Sequence, residues 1–310
     1  MNLAVRLCDV TLANPLVLAS GILGTQAELL VRAARAGAGA VASKSCSLQP
    51  RSGHRNPSVL DWGSGLINAV GLSNPGVEAE IADLQVAREE LSVMGVPLIV
   101  SVFASSVDEF AMVARRVCEG VTPDFIELNI SCPNVEEEFG RPFALGCQSA
   151  AAVTKATKRV VSCPLVVKLS PNAPDIAAVA RAVQDEGADA IAAVNTLGPG
   201  MVIDIHSGAP ILANRSGGVS GPAIHPIAVR CVYDICAAVH IPVIGIGGVT
   251  SGRDALEMIL AGATAVGIGS AVHYRGLEAF HLIQQEMRVL MLECGYASLG
   301  EMRGLAHDRP

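Results

Sequence analysis

Phe125-Ile126-Glu127-Leu128-Asn129-Ile130-Ser131-Cys132-Pro133-Asn134 is an apolar run that ends abruptly in amides, a hydroxyl, a thiol and a proline. Such a run reads as a buried strand whose carboxyl end opens into a polar, proline-stiffened loop. Two amides and a thiol there can hold a flat, hydrogen-bond-rich ligand and take a proton from it. Cys132 alone would read as a small buried hydrophobe. Asn129 and Asn134 beside it favour the chemical reading.

The pattern repeats outward from this stretch. Short apolar runs at 16–20, 40–45, 98–103, 125–131, 165–170, 190–196, 243–248 and 265–270 alternate with helical periodicity at 27–36, 107–118, 150–160, 176–186 and 253–261. The runs are apolar on both faces, as a parallel sheet covered by helices requires. Pro15, Pro97, Pro164 and Pro242 precede the first, third, fifth and seventh; Gly-Ala turns at Gly37, Gly187 and Gly262 precede the second, sixth and eighth. Such glycines close helices in a left-handed conformation. About eight βα units predict an α/β fold, a (β/α)8 TIM barrel. The expected organisation is a single domain, 1–310, with an N-terminal β-hairpin in 1–14 and insertions after strands 2, 4 and 6. A doubly wound sheet would need a Gly-x-Gly-x-x-Gly after an early strand, and none is present. The connections 46–75 and 197–221 are too long for turns, so they are expected to be functional and to lie over the carboxyl face of the barrel.

Composition narrows the function. The chain has 310 residues, 51% hydrophobic and 16% charged, which suits a large core. A net charge of -7 with no basic stripe argues against nucleic acid. The 9 cysteines are odd in number and irregularly spaced, without Cys-x-x-Cys, so neither a disulfide framework nor a metal or iron–sulfur site is expected. Most of these thiols are expected to fill core space in a reducing cytoplasm. No cationic, apolar leader and no run of about 18 apolar residues appears, so a cytoplasmic protein without a membrane span is expected.

The seventh and eighth runs end in Gly247-Gly248 and Gly269-Ser270, each leading into a helix. Barrels commonly bind phosphate at these two loops, through N–H groups unobstructed by side chains. Lys44 and Lys168 end the second and fifth runs. A lysine in an apolar strand needs a partner. Two such cations beside a phosphorylated ligand suggest stabilisation of negative charge on a ring; a Schiff-base lysine is the competing use. Asn68, Asn129, Asn134 and Asn195 with Thr196 recur at the same level, a neutral cage for a heterocycle with imide and amide edges. His206 and His225, flanking the sixth-strand insertion, are expected at the surface.

Taken together, these motifs resemble class 1 dihydroorotate dehydrogenases over essentially the whole chain. The resemblance rests on Ala19-Ser20-Gly21, Ser43-Lys44-Ser45, Asn68-Ala69-Val70-Gly71-Leu72, Asn129 to Asn134, Val167-Lys168-Leu169-Ser170, Asn195-Thr196, Ser220-Gly221-Pro222, Gly247-Gly248 and Gly269-Ser270. It implies FMN-dependent oxidation of (S)-dihydroorotate to orotate in pyrimidine synthesis, with one FMN per chain. Cys132 then matches the base that takes a proton from substrate carbon five, and Lys44 the cation that pairs with the orotate carboxylate. Asn68, Ala69, Val70, Gly71, Leu72, Asn129, Asn134, Asn195 and Thr196 match the substrate cage. Ser20, Lys44, Ser45, Ser101, Asn129, Lys168, Val194, Gly221, Gly247, Gly248, Gly269 and Ser270 match FMN contacts. Many relatives carry Asn where Ser101 stands, and the 135–148 loop, expected as a lid over Cys132, resembles that of dihydropyrimidine dehydrogenases.

Within the family, Asn129 to Asn134 and Gly198-Pro199-Gly200-Met201 resemble the NAD-linked type. That type implies a partner subunit carrying FAD and an iron–sulfur cluster, in a heterotetramer around a homodimer core. The membrane-bound, quinone-using class would carry a Ser base and a membrane extension. A fumarate-linked homodimer and reduction of uracil or thymine are the neighbouring alternatives. A flavin-free lysine aldolase or isomerase and a non-catalytic electron-transfer subunit are the more distant ones.

Overall fold

A computed structural model describes residues 2–23, 26–131 and 143–308. Eight parallel strands close into a barrel: β1 (Leu16–Leu18), β2 (Ala40–Ala42), β3 (Leu98–Val102), β4 (Phe125–Asn129), β5 (Leu165–Leu169), β6 (Ala190–Ala193), β7 (Val243–Ile246) and β8 (Ala265–Ile268). Each pairs with the next, and β8 pairs back to β1. All eight predicted runs are therefore strands, trimmed at their carboxyl ends. Polar residues such as Ser20, Lys44, Ser45, Ser131, Ser170, Asn195, Thr196 and Ser270 follow the last ladder residue of their strands.

The Gly-Ala turns act as read. Gly37, Gly187 and Gly262 have φ of +102°, +97° and +112°. In each, the following alanine N–H reaches back five residues: Ala38 to Ala33 O, Ala188 to Val183 O and Ala263 to Met258 O, at 3.2, 3.0 and 3.0 Å. This is the Schellman closure, which satisfies carbonyls that the helix end leaves open. Helix starts are capped too: Ser106 Oγ accepts from Glu109 N and Asp175 Oδ1 from Ala178 N.

Two apolar layers hold the barrel. Alternate strand residues such as Leu16, Leu18, Val41, Val100, Ile126, Val167 and Ile191 pack outward against the helices. The residues between them, Val17, Ala40, Ala42, Ile99, Phe125, Val166, Ala190, Ala192, Ile244 and Ala265, fill the interior. The expected hairpin forms from Val5–Leu7 and Val10–Leu12. Its Leu7 and Leu12 are fully buried in that interior layer, so the hairpin plugs the amino end.

The two long connections are not simple loops. Val59–Asp61 and Leu66–Asn68 from one pair through Gly217–Ser220 to Leu197–Gly200 from the other, in one four-stranded antiparallel sheet. Ile67, Ala69 and Leu212 form its own small core. The strands are too short for their alternation to be read, and the pairing that joins the two connections, Leu66–Asn68 with Gly217–Ser220, links segments far apart in sequence.

Leu7→Ala removes one of the two fully buried leucines of the plug. It is expected to lower stability by about 2–5 kcal/mol, read as a shifted denaturant midpoint. A shift worth under about 1 kcal/mol would show that the hairpin does not close the barrel.

Candidate functional site at the carboxyl end of the barrel

Above the apolar interior layers, the same inward positions turn polar. On β3 the residue two after Ile99 is Ser101; on β4 Phe125 is followed by Glu127 and Asn129; on β5 Val166 is followed by Lys168. Ser101 lies opposite Glu127 in the ladder, and Asn129 opposite Lys168. Lys168 is 6% exposed and Glu127 3%, and Lys168 Nζ stands 3.8 Å from Glu127 Oε1. Sequence reasoning picked out the lysine but not its partner. The signal was present: Glu127 shares a strand face with Asn129.

Hydrogen bonds carry this pair across the barrel mouth. Ser101 Oγ donates to Glu127 Oε1 at 2.9 Å and shares a 2.9 Å hydrogen bond with Ser45 Oγ. Asn129 Nδ2 donates to Ser45 Oγ at 3.0 Å, and Ser20 Oγ lies 3.4 Å from the same oxygen. Asn195 Nδ2 donates to Asn129 Oδ1 at 3.2 Å, and Thr196 N to Asn195 Oδ1 at 2.8 Å. Ser20, Ser45, Ser101, Asn129, Lys168, Asn195 and Thr196, from six strand ends, are thus one connected set.

The insertion sheet joins this set from above. Asn68 Nδ2 donates to Gly218 O at 3.4 Å, and Gly218 packs so tightly on Thr196 that a Cβ would sit 2.1 Å from Thr196 Oγ1. Ala69, Val70, Gly71 and Leu72 are held by 51–54: His54 N donates to Val70 O, His54 Nδ1 bonds Ala69 O, and Arg51 Nε donates to Gly71 O. Leu72 adopts φ +56°, a left-handed conformation that is strained for a γ-branched side chain and clusters at binding sites.

Lys44 follows β2, half-buried, with its Nζ 4.0 Å from where a Gly21 Cβ would stand. Burial lowers its ammonium below the ordinary lysine value; Glu80 works against this and Lys168 adds to it. Glu80, on the helix Val77–Met94 and 2% exposed, is itself pushed up to about 7, mainly by burial and also by Asp83. Nothing in the pattern around position 80 singled out this acid.

Val194, Gly221, Gly247 and Gly248 meet at the end of β7. A Cβ on Gly248 (φ +67°) would lie 2.5 Å from Gly221 O, and one on Gly247 would lie 3.5 Å from Val194 Cγ2. Gly269 and the buried Ser270 end β8 beside Ala19. The following helix start, Gly252–Leu260, is already occupied. Thr250 N and Ser251 N donate to Asp254, and Gly252 N to Glu286. Most N–H groups of that helix start are therefore engaged by side chains of the protein itself.

One expectation is corrected. His225 is 8% exposed, not at the surface, because the loop after β7 folds over it; His206 is exposed as expected. Of the eight described cysteines, all free, Cys46, Cys118, Cys163, Cys231 and Cys236 lie in or against the outer apolar layer and Cys8 against the inner one, so most fill core space as expected; Cys147 and Cys294 are exposed. Cys132 and Asn134, and residues 135–142 of the loop expected as a lid, lie outside the described residues. Where the description resumes, Ala144 N donates to Ile130 O and Phe143 packs edge-on against Phe110. Among the described residues no group of three or more His, Cys, Asp or Glu converges as a metal site, and no helix is long and apolar enough to cross a membrane. A cleft of about 500 Å³ lined by Arg6, Cys8, His240 and Arg303 opens at the other, hairpin end. That face of a barrel serves stability rather than chemistry.

The carboxyl end of this closed βα barrel thus gathers the buried Lys168, the half-buried Lys44, bonded amides and the glycines that end β7 and β8. The chain belongs to the dihydroorotate dehydrogenase family: the family profile, "Dihydroorotate dehydrogenase", matches residues 2–291. It is 46% identical over 306 residues to the "Dihydroorotate dehydrogenase B (NAD(+)), catalytic subunit" of Methanothermobacter thermautotrophicus, covering 99% of both chains. The proteins of the same name from Methanosarcina mazei and Pyrococcus furiosus are 45% and 42% identical, covering 97% and 99% of this chain and 94% and 99% of theirs.

Lys168→Ala is expected to strand Glu127 in the interior and destabilise the fold by about 3–5 kcal/mol. Adding Glu127→Leu to Lys168→Met should recover most of that loss in chemical denaturation. A double variant no more stable than Lys168→Ala would mean that the two charges are independent.

Proposed function

We propose that this chain oxidises (S)-dihydroorotate to orotate with one FMN, as the catalytic subunit of an NAD-linked enzyme. The observation that carries the reading is the connected polar set at the barrel mouth, with Lys44 and Lys168 as its cations. The family membership and the names of the relatives support the substrate and the acceptor.

The residues present fit FMN. Gly247, Gly248, Gly269 and Ser270 offer a phosphate end without side chains in the way, and Gly248 tolerates no Cβ. Ser20, Ser45, Ser101, Asn129, Val194 and Gly221 line the way from there to Lys168. When bound, FMN supplies the hydride acceptor for substrate carbon six.

The chain supplies the rest. Lys44 pairs with the orotate carboxylate, a charge-assisted contact. Asn68, Asn129, Asn134, Asn195 and Thr196 hold the ring edges, with 69–72 closing one side. Because Asn129, Asn195 and Thr196 are already oriented by one another, they are set before substrate arrives. Lys168, fixed by Glu127, would supply the positive charge that balances negative charge on the bound flavin. Cys132, three residues after Asn129, is the base that removes the carbon-five proton. Its reactive form is the thiolate.

The reading extends to a single FMN-binding domain in the cytoplasm. Electrons pass to NAD⁺ through a partner subunit that carries FAD and an iron–sulfur cluster, around a homodimer of this chain.

Purified protein is expected to be yellow and to bleach when dihydroorotate is added without oxygen. Cys132→Ala should keep the colour but slow bleaching by about 10² or more. Colourless protein that takes up no FMN would end the proposal; near-normal bleaching would remove Cys132 as the base. Efficient reoxidation of the isolated chain by fumarate would replace the NAD-linked reading with the fumarate-linked one.

Lys44 gives a pH prediction with a definite sign. Its pairing needs the ammonium, so it is present below Lys44's titration point and lost as pH rises through that point. Burial lowers the point, so orotate affinity should start to fall below the ordinary lysine range. Lys44→Arg, which does not titrate there, should remove that part of the fall. Identical pH profiles for the two proteins would exclude Lys44 as the carboxylate partner.

A further inference from the structure

We propose that His225 is a positioning residue for phosphate binding, which it serves by turning the peptide between Gly247 and Gly248. The inference rests on the FMN reading above and adds to it a residue that never touches the ligand.

His225 opens the helix His225–Ala238, directly beneath the loop after β7. Its Nδ1 lies 2.8 Å from Gly247 O. A carbonyl only accepts, so Nδ1 carries the proton and donates. The carbonyl of Gly247 and the N–H of Gly248 belong to one planar peptide unit, and in a trans peptide they point in opposite directions. Pinning the carbonyl down onto the histidine therefore turns the Gly248 N–H away from it, toward the open side of the loop. The loop also rests on the same residue, since a Gly248 Cβ would lie 2.8 Å from His225 Cβ and 3.0 Å from His225 N.

The ring is braced from behind. His225 Nε2 lies 3.2 Å from Glu257 Oε2 and 4.0 Å from Asp254 Oδ1. Glu257 is held by Arg253 at 3.3 Å. Asp254 is engaged by Thr250 N, Thr250 Oγ1 and Ser251 N, closing the capping box of the helix Gly252–Leu260. Arg275 donates to Thr250 O at 2.7 Å and pairs with Glu286. The Thr250, Ser251 and Gly252 N–H groups are thus engaged within the protein, and the Gly248 N–H is the one whose direction His225 sets through the Gly247 carbonyl.

The test is flavin affinity of the flavin-stripped full chain, read by quenching of flavin fluorescence, with FMN and riboflavin compared. Wild type should prefer FMN. His225→Leu should weaken FMN binding about tenfold and leave riboflavin binding unchanged, because riboflavin has no phosphate. His225→Asn places an amide N–H near the Nδ1 position and should retain most of the FMN affinity. His225→Gln reaches toward Nε2 instead and should behave like Leu, which keeps the comparison available if the Leu variant does not fold. Equal losses for FMN and riboflavin, or an Asn variant as weak as Gln, would overturn the assignment while leaving the FMN reading intact. Wild type that binds neither flavin would overturn both.

Discussion

The ion pair between Lys168 and Glu127 sets the terms for the rest of the site. Both side chains point into the barrel, one layer above Phe125 and Val166, where the fold ordinarily places branched apolar residues. A buried pair like this adds little net stability, since the loss of hydration offsets the attraction. Its presence is better explained by what it holds. Glu127 fixes the lysine and also accepts from Ser101, and Ser101 orients Ser45, which orients Asn129 and through it Asn195. A single buried carboxylate thus organises polar groups on strands β2 to β6. Without it, those hydroxyls and amides would have no common reference and would face the wrong partners or water.

The insertions solve a different problem. A barrel mouth lined with amides and lysines is open to solvent, which weakens every electrostatic contact inside it. The two long connections pair with each other and bury Ile67, Ala69 and Leu212 beneath their own sheet. The roof is therefore a folded element, not a loose cover. Gly218 lies against Thr196 and bonds Asn68, so roof and barrel meet at residues of the proposed substrate cage. Anything that loosens the sheet would displace Asn68 and Thr196 together.

Much of this was legible in the sequence, and the gaps have physical reasons. Strand and helix positions could be read because prolines and Gly-Ala turns punctuate them, and the Schellman closures at Gly37, Gly187 and Gly262 show why those residues recur. Lys168 stood out as a cation in an apolar run. Glu127 did not, because its role depends on the register between β4 and β5, which no single strand reveals. The roof was read as two loops, because Asn68 and its partner Gly218 are 150 residues apart and the strands between turns are too short to show alternation. His225 looked like a surface residue because its burial is created by a loop over 20 positions later, which folds back onto it.

The phosphate end poses an electrostatic question that the same logic answers. Asp254, Glu257 and Glu286 cluster behind a loop proposed to hold a dianion, a placement that simple attraction would forbid. Asp254 stays ionised despite burial because Thr250 and Ser251 bond it and His225 lies nearby; its carboxyl is held below the usual range. Glu286 is likewise held down, chiefly by Arg275, although burial works the other way. Each carboxylate is paired with N–H groups, a histidine or an arginine, so little unbalanced charge faces the glycines. What the acids contribute is direction: they tie up the N–H groups of Thr250, Ser251 and Gly252 and brace the ring that fixes Gly247. The loop's selectivity for an anion then comes from peptide orientation, which short hydrogen bonds control more tightly than a flexible surface lysine could.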